Sequence, residues 1–151
     1  MTVVIDRPRG RDELDGLVAA CSAETLRQRF CGQVGALPPR YAAGVLAGPP
    51  TRHDALVARA GSAVVGLASL VAEGDDAGEL GVLVADAWQR RGVGRALTTA
   101  LLERARDRGL KRFGVLVLPG RTRLLASLSR QWELVEWSIG PDGTSCVYRL
   151  F

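Results

Sequence analysis

Two short stretches carry residues whose types and spacing could do chemistry. The first is Gln89-Arg-Arg-Gly-Val-Gly-Arg-Ala96, in which two glycines and three arginines stand directly before a run with helical period. Glycine lacks a Cβ, so its backbone N–H can approach a ligand closely. The first N–H groups of a helix have no internal partner and lie at the positive end of its dipole. Such a loop makes an anion site suited to a pyrophosphate, and Arg90, Arg91 and Arg95 would add a positive field. Two other phosphate loops fail: a dinucleotide fingerprint needs glycine or alanine where Leu97 stands, and a P-loop needs Gly-Lys-Ser/Thr, which is absent. The plain alternative is a glycine-rich strand–helix turn with no ligand, against which the adjacent arginines count.

The second stretch is Glu79-Leu-Gly-Val-Leu-Val84. By period-two alternation Glu79 shares a strand face with Gly81 and Leu83, and Gly81 would leave open space beside the carboxylate. A carboxylate so placed can accept a proton during reaction; the plain alternative is a solvated charge at a strand end. His53, the one histidine, is a rival base. It neighbours Arg52 and Asp54 before a strand and reads as a surface or hairpin residue. Asp75 and Asp76 read as solvated turn residues.

Elements that could position these groups follow from the pattern. Thr2 to Asp6 is apolar and β-branched, a first strand. A helix follows from Arg11 to about Cys21, and Ser22 caps a second. Pro38-Pro39 opens a short third helix through Leu46. Asp54 to Ala60 and Ala63 to Ala72, split by Gly61-Ser62, form a hairpin, and Glu79 to Ala85 is the next strand. Val93, Ala96, Leu97, Ala100, Leu101 and Ala105 mark one face of a helix closed by Gly109. A strand from Arg112 to Leu118, a helix from Thr122 to about Trp132, and strands near Val135 to Ile139 and Thr144 to Leu150 complete the chain. This order predicts an α/β (mixed α+β) fold with a mostly antiparallel mixed sheet of about six to seven strands flanked by helices.

Composition narrows the class. The chain has 151 residues, 47% of them apolar and 24% charged, which suits one globular domain over 1–151. No apolar run reaches the roughly 20 residues of a membrane span, and the N-terminus lacks a signal-peptide layout, so a cytoplasmic protein with no membrane partner is expected. Cys21, Cys31 and Cys146 form no CxxC pair; no disulfide framework and no metal site is expected. Net charge is +4, and aromatic residues total 5%, which supplies no stacking platform for nucleic acid. The basic run from Arg104 to Arg112 reads mainly as a solvated helix face. Trp132 and Trp137 could line a pocket, although core packing is the expected role of both.

The Gln89–Ala96 segment resembles the Q/R-x-x-G-x-G/A acyl-CoA signature of the GNAT N-acetyltransferases and sits after the strand where that family carries it. Ser22-Ala-Glu-Thr-Leu-Arg-Gln-Arg-Phe30, Ala55-Leu-Val-Ala58 and Val65-Gly66 resemble the domain of bacterial protein lysine acetyltransferases. The resemblance implies the GNAT fold and transfer of an acetyl group from acetyl-CoA to a primary amine, either a protein lysine or a small amine. The implied donor site comprises Val82, Leu83 and Val84, facing the pantetheine arm, and Gln89, Arg90, Arg91, Gly92, Val93, Gly94, Arg95 and Ala96, facing the pyrophosphate. Glu79 matches the glutamate that serves as base, and homodimerisation, common in the family, is a further expectation.

The chain departs from the family in places. Arg121 stands at the usual asparagine position, Leu128 or Ser129 near the usual tyrosine, and Glu133-Leu134 where Gly-Phe is usual. No tyrosine occurs between Tyr41 and Tyr148. A catalytically weak acyl-CoA-binding or sensor module is therefore the alternative expectation.

Overall fold

A computed structural model describes residues 2–30, 35–119 and 123–151. The expectations for Cys31, Arg121 and a helix start at Thr122 lie outside these residues. Seven strands form one sheet: β1 (Val4–Asp6), β2 (His53–Ala60), β3 (Ala63–Glu73), β4 (Ala77–Val84), β5 (Arg112–Val117), β6 (Glu133–Gly140) and β7 (Gly143–Arg149). Their spatial order is β1-β2-β3-β4-β5-β7-β6. Adjacent strands run antiparallel except β4 and β5, which are parallel. Helices α1 (Arg11–Ala19), α2 (Ala23–Phe30), α3 (Pro39–Ala47), α4 (Val93–Asp107) and α5 (Arg123–Gln131) flank it. The sequence expectation holds, with boundaries moved by one or two residues at most ends and with an added 3-10 turn at Asp86–Trp88.

Alternation along the central strands sorts side chains to two cores. On one face Leu14, Leu17, Val18, Leu26 and Val45 of α1–α3 cover Ala55, Val57, Leu67 and Leu83. On the other, Val93, Leu97 and Leu101 of α4 and Leu125 and Leu128 of α5 cover Leu56, Ala68, Leu70, Phe113 and Tyr148. The helical period read from Val93 to Ala105 is thus the buried stripe of α4, and burial of such stripes dominates the favourable side of folding.

The basic run is not simply solvated. Arg104 and Arg108 each reach the fully buried Asp54 at 2.8 Å, and Arg7 approaches it at 3.4 Å. Burial alone would raise the Asp54 pKa, but the hydrogen bonds and charges of Arg104 and Arg108 outweigh it and hold the carboxyl below its usual range. This cluster ties α4 to β2. Arg59 does the same for α1, holding Glu13 at 2.7 Å and Asp6 at 2.8 Å. Trp132 packs edge-on against Phe113, as expected, whereas Trp137 on β6 is 62% exposed and packs in no core. The outermost strand β6 is exposed along its whole length.

Candidate active site

The site begins where the sheet comes apart. β4 pairs with β3 throughout, from Glu73↔Ala77 to Gly66↔Val84. With β5 it pairs only at Ala77↔Arg112, Gly78↔Phe113 and Glu79↔Gly114. Beyond Glu79 the parallel strands diverge, and among the described residues that edge of β4 has no ladder partner. Buried backbone N–H and C=O groups need partners, so a strand edge opening into a cleft is suited to a ligand with amides of its own.

A cleft of about 1180 Å³ occupies the gap. Its volume exceeds the roughly 300–1,000 Å³ of ordinary small-ligand pockets, which suits an elongated molecule. Val82, Leu83 and Val84 form one wall, and Val117, Leu118 and Leu124 the opposite one. Gly92, Val93, Gly94 and Arg95 close one end, and Thr25, Gln28 and Arg29 of α2 roof it. Arginines 29, 90, 95, 123 and 130 line it against the acids Glu24 and Asp86, giving the cleft a positive field.

The glycine end has the geometry of an anion site. Gly92 is the N-cap of α4 at φ +84°, a left-handed conformation that a Cβ would disfavour. Arg90 is also left-handed at φ 62°. The first intrahelical bond is Ala96 N–H donating to the Gly92 carbonyl at 3.0 Å. The N–H groups of Val93, Gly94 and Arg95 therefore precede the helical ladder, at its positive end. A Cβ on Gly94 would stand 3.5 Å from Val82 and Val84. Gly94 thus sits directly above the expected pantetheine wall.

Two expected donor-site residues have other partners. The Gln89 amide donates to the Val84 carbonyl at 3.0 Å and to Thr25 Oγ1 at 3.2 Å, fastening the loop to β4 and α2. The Arg91 guanidinium lies 5.1 Å above the Trp88 ring. Arg91 and Ala96 are exposed and, unlike Gln89, Arg90 and Gly92–Arg95, do not line the cleft. Ser22 caps α2 as expected, accepting from Thr25 N–H at 3.1 Å, and its own N–H donates to Asp86 at 2.8 Å. Asp86 thereby joins the helix start to the turn after β4.

Among the described residues, a buried hydroxyl on the cleft wall lacks a partner. Thr98 on α4 is 3% exposed and lines the cleft, yet its hydroxyl has no hydrogen bond. An unmet buried hydroxyl costs about 1–3 kcal/mol, so a polar ligand group in this cleft would find a ready partner. Nothing in the sequence singles Thr98 out, since it falls within the helical run of α4.

Glu79 does not line the cleft. It stands where β4 still pairs with β5, opposite Val71, on the same sheet face as Leu83, and it is exposed there. Loss of hydration, followed by a hydrogen bond to and the like charge of Glu73, holds its carboxyl above the ordinary glutamate range; the charge of Arg29 pulls the other way. The Gly74–Asp76 turn brings Glu73 and Glu79 to one face, six residues apart in sequence. The turn itself was legible, and its register was the available signal for this pair.

The open space expected beside Gly81 is filled. A Cβ there would collide with the Arg29 guanidinium, so Gly81 is the berth of that side chain. Arg29 also stacks on Phe30 at 4.6 Å and Tyr41 at 5.0 Å, and approaches Ser69 Oγ at 3.5 Å. The Tyr41 hydroxyl is 2.6 Å from the same Ser69 oxygen. His53 is buried against the Tyr41 ring at 5.2 Å, not at the surface. Burial, then the Arg29 charge, lowers its pKa against the opposing pull of Asp54, favouring the neutral imidazole.

Burial, with the charge of Asp86, pushes the Cys21 thiol up to about 11, which disfavours the reactive thiolate, and Cys146 is buried. Leu128 is buried, and Ser129 Oγ lies 2.9 Å from the Tyr148 hydroxyl, which also donates to the Leu125 carbonyl at 3.3 Å. Tyr148 is fully buried, stacked on Phe113. Among the described residues no three His, Cys, Asp or Glu side chains gather as metal ligands would, and no helix is long and apolar enough to cross a membrane.

The profile of the acetyltransferase (GNAT) family matches residues 24–126, about two thirds of the chain, and spans both the cleft and Glu79. The chain belongs to the GNAT acetyltransferase family. It is thereby an N-acetyltransferase by class, a member of the acyl-group transferases. The GNAT domain of the Streptomyces lividans protein PAT superposes with a TM-score of 0.80 at 22% identity, covering 96% of this chain and 89% of that one. YncA from Salmonella typhimurium, solved with acetyl-CoA, gives 0.74 at 16% identity, covering 97% and 92%. PaiA from Thermoplasma acidophilum, solved with coenzyme A, gives 0.71 at 11% identity, covering 99% of each chain. At these identities the likeness speaks to the fold. Among curated proteins, no sequence matches.

Proposed function

We propose that this GNAT chain transfers an acetyl group from acetyl-CoA to a primary amine, a protein lysine or a small amine. The carrying observation is the cleft between the diverging β4 and β5, which ends on the unbonded amides of Val93, Gly94 and Arg95. The residues present suit this donor. The helix start and Arg90 and Arg95 would hold a diphosphate, the free edge from Val82 to Val84 would pair with pantetheine amides, and the Thr98 hydroxyl would meet a polar atom of the arm. That relatives of this fold from Salmonella and Thermoplasma were solved with acetyl-CoA and coenzyme A supports the assignment.

Glu79 is the proposed base. The acceptor must present a free lone pair, whereas an alkyl ammonium has a pKa near about 10.4. Glu79, its affinity for a proton raised by lost hydration and by Glu73, would take the amine proton directly or through one water. The nitrogen attacks the thioester carbonyl carbon, the C–N bond forms, the C–S bond breaks, and sulfur leaves with the electron pair as CoA thiolate. A backbone N–H of the Val82–Val84 edge would donate to the carbonyl oxygen as charge develops there.

The test is thiol release from acetyl-CoA over a panel of amines, with Glu79→Gln beside the wild type. Turnover that falls in the variant while coenzyme A binding persists supports the reading. One observation favours a second one, a coenzyme A-binding sensor with little turnover. Among the described residues both tyrosine hydroxyls are engaged, Tyr148 with Ser129 and Tyr41 with Ser69, so neither is placed as an acid for the leaving thiolate. Coenzyme A binding with no turnover on any amine would decide for the sensor.

A further inference from the structure

Among the described residues, the buried or half-buried arginines are neutralised, with one exception. Arg59 holds Glu13 and Asp6, and Arg104 and Arg108 hold Asp54. Arg29 is half-buried too, yet among the described residues no carboxylate lies within ion-pair distance of it, and its buried Nε–H has no acceptor. Its faces are occupied by Phe30 and Tyr41, and one edge is near Ser69. Stacking of this kind fixes a guanidinium in place but does not satisfy its N–H fork, which is shaped for a carboxylate.

The position of this unmet cation gives it a meaning. Arg29 lines the donor cleft, and its guanidinium lies over Gly81, two residues along β4 from Glu79 and on the same face. The site where an amine would meet Glu79 therefore has a negative side, the Glu73–Glu79 pair, and a positive side, Arg29. The Arg29 charge is felt at the Glu79 carboxyl, so both signs of charge meet at this corner. A polyamine or a lysine tail rich in cations would set its further positive charges against Arg29. A zwitterion matches both sides.

We propose that the acceptor is an amino acid or another small amine that carries a carboxylate, its carboxylate held by Arg29 while its amine faces Glu79. This rests on the acetyltransfer reading and narrows its substrate. Arg29 is then a specificity residue, touching the acceptor at a point away from the reacting nitrogen. The products are coenzyme A thiol and an N-acetylated amino acid, with the proton balance already given for Glu79.

Matched pairs differing only in the carboxylate test it: phenylalanine against phenethylamine, leucine against isoamylamine, lysine against cadaverine. Initial rates of thiol release with acetyl-CoA should give a kcat/KM at least about tenfold higher for the amino acid of the preferred pair, the worth of a charge-assisted hydrogen bond. Arg29→Gln should erase that ratio by raising KM for the amino acid far more than for its decarboxylated partner, and Arg29→Lys should restore part of it. Decarboxylated partners or a lysine peptide as the better substrates would overturn the proposal, as would an equal loss on both members of a pair in Arg29→Gln. The wild-type ratio decides even if both variants misfold. Coenzyme A binding, followed by calorimetry, separates the failures: binding with acetylation only of amines that lack a carboxylate overturns the acceptor assignment alone, whereas no binding, or binding with no turnover on any amine, overturns the acetyltransfer reading beneath it.

Discussion

The proposed donor and acceptor ends of the site are built from different materials. The donor end is mostly backbone: the unpaired edge of β4 and the first N–H groups of α4, with arginines adding field. The acceptor end is mostly side chains, with Arg29 from α2, Tyr41 from α3, His53 from β2, Ser69 and Glu73 from β3 and Glu79 from β4. Backbone sites depend on where glycine stands and where a helix starts, and tolerate many side-chain changes around them. Side-chain sites depend on each group, so single substitutions can retune them. A fold that reuses one donor can vary its acceptor in this way.

That contrast can be broken or sharpened by substitution. Glu79→Gln carries the largest expected effect, a fall in kcat of about a hundredfold or more with coenzyme A affinity within about twofold, measured by thiol release and calorimetry. Comparable losses in both would mean that Glu79 serves the fold rather than the reaction. Gly94→Glu should do the reverse, weakening coenzyme A about a hundredfold by placing a negative charge at the helix start, in a space that itself admits a Cβ.

The pH profile separates the ends further. The base works deprotonated, and the folded-state pKa of Glu79 is raised, so the acid limb of kcat/KM should lie above the value of about 4.3 usual for glutamate. Glu73→Gln removes a like charge and should move that limb to lower pH; an unmoved limb would assign it to another group. Gly81→Ala should alter acceptor KM several-fold by evicting the Arg29 guanidinium, with coenzyme A affinity unchanged. The smallest effect is expected from Gly92→Ala, which places a Cβ at φ +84° and should cost about 1–2 kcal/mol in thermal or chemical unfolding.

The donor end was legible in sequence for a physical reason. Its glycines, its arginines and the apolar stripe of α4 occupy one continuous segment, and the period change at Gly92 marks the helix start unaided. The strands and helices were legible too, because alternation and the 3.6-residue period record which face is buried. The acceptor end was not. Arg29 lies 40 residues from Ser69 and 52 from Gly81, and nothing in α2 alone says that its arginine finds a berth across the sheet. Gly81 looked like open space because a missing side chain reads the same whether the gap is empty or filled from elsewhere. His53 looked exposed among charged neighbours, yet β2 pairing turns it inward against Tyr41. Of the glutamate pair, only Glu79 drew notice, since Glu73 acquires its role from hairpin register.

The gap between β4 and β5, headed by the amides of Val93 to Arg95, is the proposed seat of the acyl donor. Titration calorimetry of the purified chain with coenzyme A addresses it most directly. A saturable one-to-one association, strongly weakened in Gly94→Glu and retained in Glu79→Gln, is the predicted result. Absence of heat up to millimolar ligand, or an affinity indifferent to Gly94→Glu, would contradict it.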